Sequence, residues 1–293
     1  MSDKLEFTGE RFTPECVREI RYEHIHRYAF AQAFVQGRRV LDAACGEGYG
    51  SALLAENADS VVGVDISEQA IGHARQRYAS ERLEFRQGDC TDLPFADDEF
   101  NCVVSFETLE HLENQQGLLR AFRRVLKPDG FLLISTPDKA VYTDQQGNRN
   151  EYHVSELYRG EFEELLAAYF PAVRLWGQKL GFQSSLWALD GQEGVSLLQE
   201  SRDGITRSKS PRHEAVYLLA FCAADEMHLP PVDFGLSLFD DAEETVYEHY
   251  YHEIRKHIAA GMLLQQRDEE ISRLKTELAK AGRPLWKRWL GRG

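Results

Sequence analysis

The sequence predicts an α/β fold, a doubly wound parallel sheet, and three observations predict it. Between residues 38 and 136, short apolar runs alternate with stretches of helical periodicity, the pattern of strands joined by crossover helices. A glycine-rich turn, Cys45-Gly46-Glu47-Gly48-Tyr49-Gly50, follows the first run directly. Asp42, Asp65 and Asp89 fall at the ends of successive runs. Open α/β sheets bind their ligands there, at the carboxyl ends of the strands.

The chain begins with the polar Gly9-Glu10-Arg11-Phe12-Thr13-Pro14, and a helix is predicted from about Glu15 to Gln36. Tyr22, Ile25, His26, Ala29, Ala33 and Phe34 give it an apolar face that should lie on the body of the domain. His24 and His26 point to different faces of such a helix and form no metal pair. The first strand, from Arg38, runs into the glycine turn, where Gly46, Gly48 and Gly50 allow close backbone approach to a ligand. Their spacing is G-x-G-x-G, not the G-x-G-x-x-G of a dinucleotide site. Asp42 at the loop mouth would repel a pyrophosphate and suit an amino group or another cation. The second strand, Val61 to Asp65, ends in an acid placed for both hydroxyls of a ribose.

A ligand with a ribose, no phosphate and a cationic amino acid tail is S-adenosylmethionine. At these residues the chain resembles the class I S-adenosylmethionine-dependent methyltransferases. The segment from Val40 to Gly50, with Ala43, Gly46 and Gly48, looks like their first motif, and Asp65 like their ribose acid. Gly88-Asp89-Cys90 is similar to the adenine-edge motif, Phe100 to Phe106 to the fourth strand, and Leu126 to Ile134 to the turn into strand five. The resemblance implies a Rossmann-like seven-stranded sheet with an N-terminal helical lid over residues 1–37. It also implies roles. Asp42 would meet the methionine ammonium, directly or through water, and Asp65 the ribose diol. Asp89 would accept from the adenine amino group, Ile66 and Cys90 would sandwich the ring, and Phe106 stands at the fourth strand end. Backbone amides after Cys45 would cradle the carboxylate, and Arg11, Tyr22 and His26 are lid candidates for ligand contact.

For methyl transfer to a hydroxyl, a base is needed near the methyl group. Strand four is followed by Glu107-Thr108-Leu109-Glu110-His111, whose acids and histidine share one face if the segment is helical. Three readings stay open there: His111 as base with Glu107 in substrate contact, a divalent cation held as in some quinone-pathway O-methyltransferases, or a solvated helix start. His153 is the second candidate base, with core packing as the alternative. It follows a polar loop, Thr143 to Asn150, and Tyr152. Amide and hydroxyl donors beside rings suit a sugar face. With Gly9 to Phe12 and Glu23 to Tyr28, this segment looks like bacterial methyltransferases of surface-polysaccharide (O-antigen) loci, some of which cap chains. That implies a glycan acceptor, lipid-linked. A metal-assisted enzyme acting on a small quinone-like molecule, and a non-catalytic scaffold, are the alternatives.

The outer bounds agree. A chain of 293 residues with 43% hydrophobic residues supports one large domain plus an appendage. With 48 acids against 34 bases and a net charge of −14, nucleic acid is not an expected partner. Five cysteines, none in C-x-x-C spacing, favour neither disulfides nor a zinc knuckle and suggest a reduced, cytoplasmic setting. No secretory signal or membrane-spanning run is legible.

After strand five, a helix is expected over Glu161 to Tyr169, strands near Val173 to Gln178 and Ala215 to Ala223, and a long polar insertion from Asp190 to Arg212. The methyltransferase domain is thus assigned to 38–228. Over 229–282 come Leu229-Pro230-Pro231 and a continuous helix from Asp240 to Ala281. Leu264, Ile271, Leu274 and Leu278 follow heptad spacing, and Tyr247, Tyr250, Ile254 and Ile258 form an earlier stripe. A coiled-coil homo-oligomer is its expected use. His249, His252 and His257 read as surface or seam residues. The tail, 283–293, interleaves four bases with Trp286 and Trp289, suiting peripheral contact with an anionic membrane at the inner face of the cytoplasmic membrane.

Overall fold

The structure, a computed structural model, describes residues 19–186, 195–202, 204–211 and 213–281. Residues 1–240 and 241–293 are two compact units. The first is built on a seven-stranded sheet. Helix α1 (Glu19–Gln32) precedes β1 (Arg39–Ala43), α2 (Tyr49–Ala55), β2 (Ser60–Asp65), α3 (Glu68–Arg77) and β3 (Leu83–Gln87). Then come β4 (Phe100–Phe106), α4 (Gln115–Val125), β5 (Leu126–Pro137), α5 (Arg159–Ala167), β6 (Ala172–Gln178) and β9 (Tyr217–Ala223), with β7 (Leu197–Ser201) and β8 (Gly204–Ser208) inserted before β9. The order across the sheet is β3-β2-β1-β4-β5-β9-β6. The first five are parallel, and β9 lies antiparallel between β5 and β6. The order reverses at β1/β4, which puts the crevice at the ends of those two strands.

Alternation along the strands explains the two faces. Leu41, Val62 and Val103 point into one core with Leu118, Phe122 and Phe162. Their neighbours Val40, Val61 and Cys102 point into the other with Tyr28, Phe34 and Phe221. A sheet covered on both faces is buried throughout, so β1, β2 and β4 carry near-continuous apolar runs. Helices α3 and α4 start at side-chain caps, Ser67 accepting from the Ala70 N–H and Asn114 from the Gly117 N–H. The four described cysteines, Cys45, Cys90, Cys102 and Cys222, are buried free thiols.

Several expectations are corrected. The buried face of α1 and the turn after it consists of Arg27, Tyr28, Phe30, Ala31, Phe34 and Val35, rotated from the predicted stripe. Tyr28 turns inward because Gly50 leaves room for its ring, and Arg27 because Gln178 accepts its hydrogen bond at 2.7 Å. The stretch after β4 is a single 3₁₀ turn, Leu109–His111, with Glu107 outside it at φ +51°. The long polar insertion at 190–212 contains the β7–β8 hairpin. Segment 229–240 packs with the first unit: Phe234 lies against Phe30 and Trp176, and Phe239 stacks on His26. The residues of 1–18, including Arg11, and of 282–293 lie outside the described set.

The second unit is a helix, α6 (Thr245–Ala281), of 37 residues. At 1.5 Å per residue it runs roughly 55 Å. Along it Tyr251, Ile254, Ile258, Leu264, Ile271, Leu274 and Leu278 are exposed. Among the described residues no helix is long and apolar enough to cross a membrane.

Candidate active site

The loop between β1 and α2 is shaped by backbone that few side chains tolerate. Ala44, Gly46 and Gly48 all have positive φ, and a Cβ on Gly48 would stand 2.7 Å from the Phe85 ring and 2.8 Å from Ala74 Cβ. Asp65 holds this loop. Its Oδ2 accepts the Gly46 N–H and its Oδ1 the Ser67 N–H, both at 2.9 Å. One carboxylate at the end of β2 thereby fixes both turns that border the crevice.

Asp42 is fully buried near the end of β1. Ser51 Oγ donates to its Oδ2 at 2.5 Å and Tyr28 Oη to its Oδ1 at 3.1 Å. Burial pushes its carboxyl up to about 6, against the pull of those two hydroxyls. Both oxygens are thus already engaged, and a ligand ammonium reaches Asp42 by sharing them. Glu47, also buried, turns away from the mouth toward Tyr78 Oη at 2.8 Å and His73 Nε2 at 3.0 Å.

The other candidates stand around the same crevice. Ile66 directly follows Asp65, 70% exposed, an apolar platform in the open; Cys90 is buried beside Ala43 and Val64 in the core. Asp89, exposed after β3, accepts from the N–H and hydroxyl of Thr91. Phe106 is buried edge-on to Tyr28. Tyr22 and His26 both meet Phe239. The donor set suits a sulfonium ligand. From Asp42 to Gly50 the chain has two acids and no base, and a carboxylate and an exposed aliphatic side chain follow at the end of β2. Phosphates would find repulsion there.

On the far side of the crevice, the 3₁₀ turn and the loop before α5 are stitched together. Val154 N and Ser155 N both donate to Glu110 O, and Gln115 Nε2 bridges Leu109 O and Ser155 O. That brings His153 against His111, ring centroids 5.0 Å apart. His111 Nδ1 lies 3.0 Å from Tyr152 O, and His153 Nδ1 lies 2.6 Å from Glu156 Oε1. Glu110 is buried, and burial together with Glu107 holds its carboxyl well above the usual carboxylate range. Thr136 donates to its Oε2, and its Oε1 has no hydrogen-bond partner.

Glu107 parts from this group. Its Oε1 accepts from Ser135 Oγ at 2.6 Å and lies 3.8 Å from Arg27 Nη1. The expected face of Glu107, Glu110 and His111 therefore does not form, because the positive φ at 107 turns that side chain toward β5 and α1. Reading the sequence missed Tyr28, Ser51 and Arg27, whose partners are distant in the chain. It also missed Glu156, which the i, i+3 spacing from His153 could have flagged.

Comparison with known proteins agrees with this geometry. Residues 41–134 match the family described as a methyltransferase domain. A probable S-adenosylmethionine-dependent methyltransferase of Mycolicibacterium smegmatis is 35% identical over 199 residues, covering 67% of this chain and 76% of that protein. One from Mycobacterium tuberculosis is 34% identical over 198 residues, covering 66% and 71%. The YcgJ protein of Bacillus subtilis shares the fold, with a TM-score of 0.50 at 18% identity over 69% of this chain and 100% of that one. With its donor loop, strand-end acids and this relatedness, the chain belongs to the S-adenosylmethionine-dependent methyltransferases.

Proposed function

We propose that the acceptor is a hydroxyl group of a bacterial surface glycan, carried on a lipid. The observation that carries this reading is the imidazole pair His111 and His153 at the acceptor side of the crevice. Each ring gives its Nδ1–H to an oxygen, which leaves the Nε2 lone pair to take a proton from a hydroxyl. Glu156 behind His153 stabilises the charge that develops on that ring, so His153 is the base and His111 its neighbour in substrate contact. S-adenosylmethionine supplies an activated methyl group on sulfur. The chain aligns the acceptor oxygen with it and removes the hydroxyl proton.

Two further features support a sugar. Tyr142, Tyr152 and Tyr158 stand around the loop with Asn148 and Asn150, offering ring faces and amide groups. Nearby, a cleft of about 920 Å³, broad enough for more than one sugar ring, sets Arg27, Asp138, Gln178, Lys179 and Glu214 among apolar side chains such as Trp176 and Phe182. We read α6 as pairing with a second copy through its exposed stripe, and the basic, tryptophan-bearing 283–293 as resting on an anionic membrane. Both would hold the enzyme in the cytoplasm where lipid-linked glycans are completed.

The test is transfer of a deuterated methyl group from S-adenosylmethionine to purified lipid-linked glycan, read by mass spectrometry. Label on a sugar hydroxyl supports the reading. Label on a quinone-like phenol with none on glycan ends it.

A further inference from the structure

We infer that Glu110, His111 and His153 form a binding site for one divalent first-row transition cation of the zinc or manganese type. Their ligand atoms all lie within 4.8 Å of one another. A four-coordinate ion with bonds of about 2.0–2.1 Å needs donors about 3.3–3.4 Å apart, so the site has to contract on binding. That contraction takes a rotation of the His111 side chain, 21% exposed, about its Nδ1 contact with Tyr152 O.

The hydrogen bonds select the ligand atoms. A carbonyl only accepts, so His111 Nδ1 carries the hydrogen that Tyr152 O receives, and its Nε2 keeps the lone pair. The Glu156 carboxylate fixes the same tautomer in His153. Imidazoles held this way, by a carbonyl or a carboxylate on the far nitrogen, are oriented as metal-ligating histidines are. Glu110 supplies the third donor. Its side chain is 1% exposed, its Oε2 is used by Thr136, and its Oε1 lies unpartnered 3.8 Å from His111 Nε2. An idle carboxylate oxygen in the interior costs free energy that a cation would offset.

The donor set also names the metal class. Two imidazoles and one carboxylate favour zinc, manganese or iron over magnesium and calcium, which take oxygen ligands. Glu107, the second carboxylate of a magnesium-type site, is tied to Ser135 and Arg27 instead. Three protein ligands leave a position open for an acceptor oxygen. That last role rests on the proposed acceptor chemistry; binding of the ion does not. Where the ion is bound, His111 and His153 would hold it, and it would take over from His153 the activation of the acceptor hydroxyl by lowering that group's pKa.

The experiment is calorimetric titration of the full chain, stripped with chelator, with Zn²⁺ alone and Mg²⁺ alone. One Zn²⁺ site is expected, weakened at least 100-fold in His153→Ala and about 10- to 100-fold in Glu156→Gln, with Mg²⁺ far weaker throughout. Adenosylhomocysteine binding by each variant confirms that it is folded. His249, His252 and His257 remain in all of them, so Zn²⁺ they hold survives the substitutions. In the unsubstituted chain, Zn²⁺ should shift the imidazole NMR signals of His111 and His153, a readout that needs no variant. Isotherms unchanged by the substitutions, or unshifted His111 and His153 signals, overturn the inference. Zn²⁺ bound at these residues by a protein that leaves glycans unlabelled upholds the site and rejects the acceptor.

Discussion

Tyr28 occupies the space that a side chain at Gly50 would need, and its hydroxyl donates to Asp42 Oδ1 at 3.1 Å. The ring is itself wedged edge-on between Tyr49 and Phe106, so it cannot step aside. A residue of α1 thereby sets the floor of the donor site.

Gly50→Ala tests that wedge. Alanine favours the helix by up to about 1 kcal/mol, but overlap with a confined ring costs typically 1–3 kcal/mol or more. Sterics should win, lowering the melting temperature and weakening adenosylhomocysteine binding together. Gly72→Ala, whose Cβ meets nothing, is the control and should be neutral or stabilising.

The pH dependence of Asp42 has a definite sign. Its carboxyl rises from an ordinary 3.8 to about 6 in the folded chain, so the folded state binds the extra proton between those values. Stability from this group is full below about pH 4 and lost as pH rises through 6. A shift of this size is worth about 3 kcal/mol at most. Ligand-free protein should therefore melt later at pH 5.5 than at pH 7.5, a trend that Asp42→Asn flattens. Donor affinity should run the opposite way, falling below pH 6 as the carboxylate that attracts a cation is neutralised.

Arg27 is 1% exposed, holds Gln178 at 2.7 Å, and covers the Tyr217 ring at 4.9 Å. Arg27→Ala empties that volume and leaves Gln178 without its donor, and breaking a buried charge pair costs about 3–5 kcal/mol. Arg27→Met keeps the volume and should cost less. Urea denaturation of both variants checks the order.

His153→Ala should lower kcat by about 10²–10⁴-fold while donor binding, which lies across the crevice, stays within twofold. Glu156→Gln keeps the hydrogen bond but not the charge, and should fall between. Initial rates with titrated S-adenosylmethionine separate the two parameters.

A chain ending at residue 240 tests α6. Light scattering should give a dimer or larger species for the full chain and a monomer for the shortened one, with donor binding retained.

What was legible in the sequence follows from which contacts are local. Strand β4 matches the bounds that the family resemblance implies, Phe100 to Phe106, and its burial on both faces accounts for the apolar run there. The loop and Asp65 were legible because glycines and acids stand at fixed offsets. The rotated face of α1 was not, since it depends on Gly50 and on Gln178, 151 residues beyond Arg27. Nor was the break between Glu107 and Glu110: a single positive φ decides it, at a residue type that rarely adopts one. The imidazole pair came together through amides at 154 and 155 donating to Glu110 O, a pairing that no periodicity encodes.

The cysteines turn the sheet into its own clock. Burial pushes the Cys45, Cys102 and Cys222 thiols up, and Cys90 to about 12, so none offers a thiolate to an alkylating reagent while the fold is shut. Modification then waits on opening, and its pace counts how often each region opens. Cys45 and Cys90 border the donor loop whereas Cys102 and Cys222 lie mid-sheet, so a bound donor should slow the first two selectively.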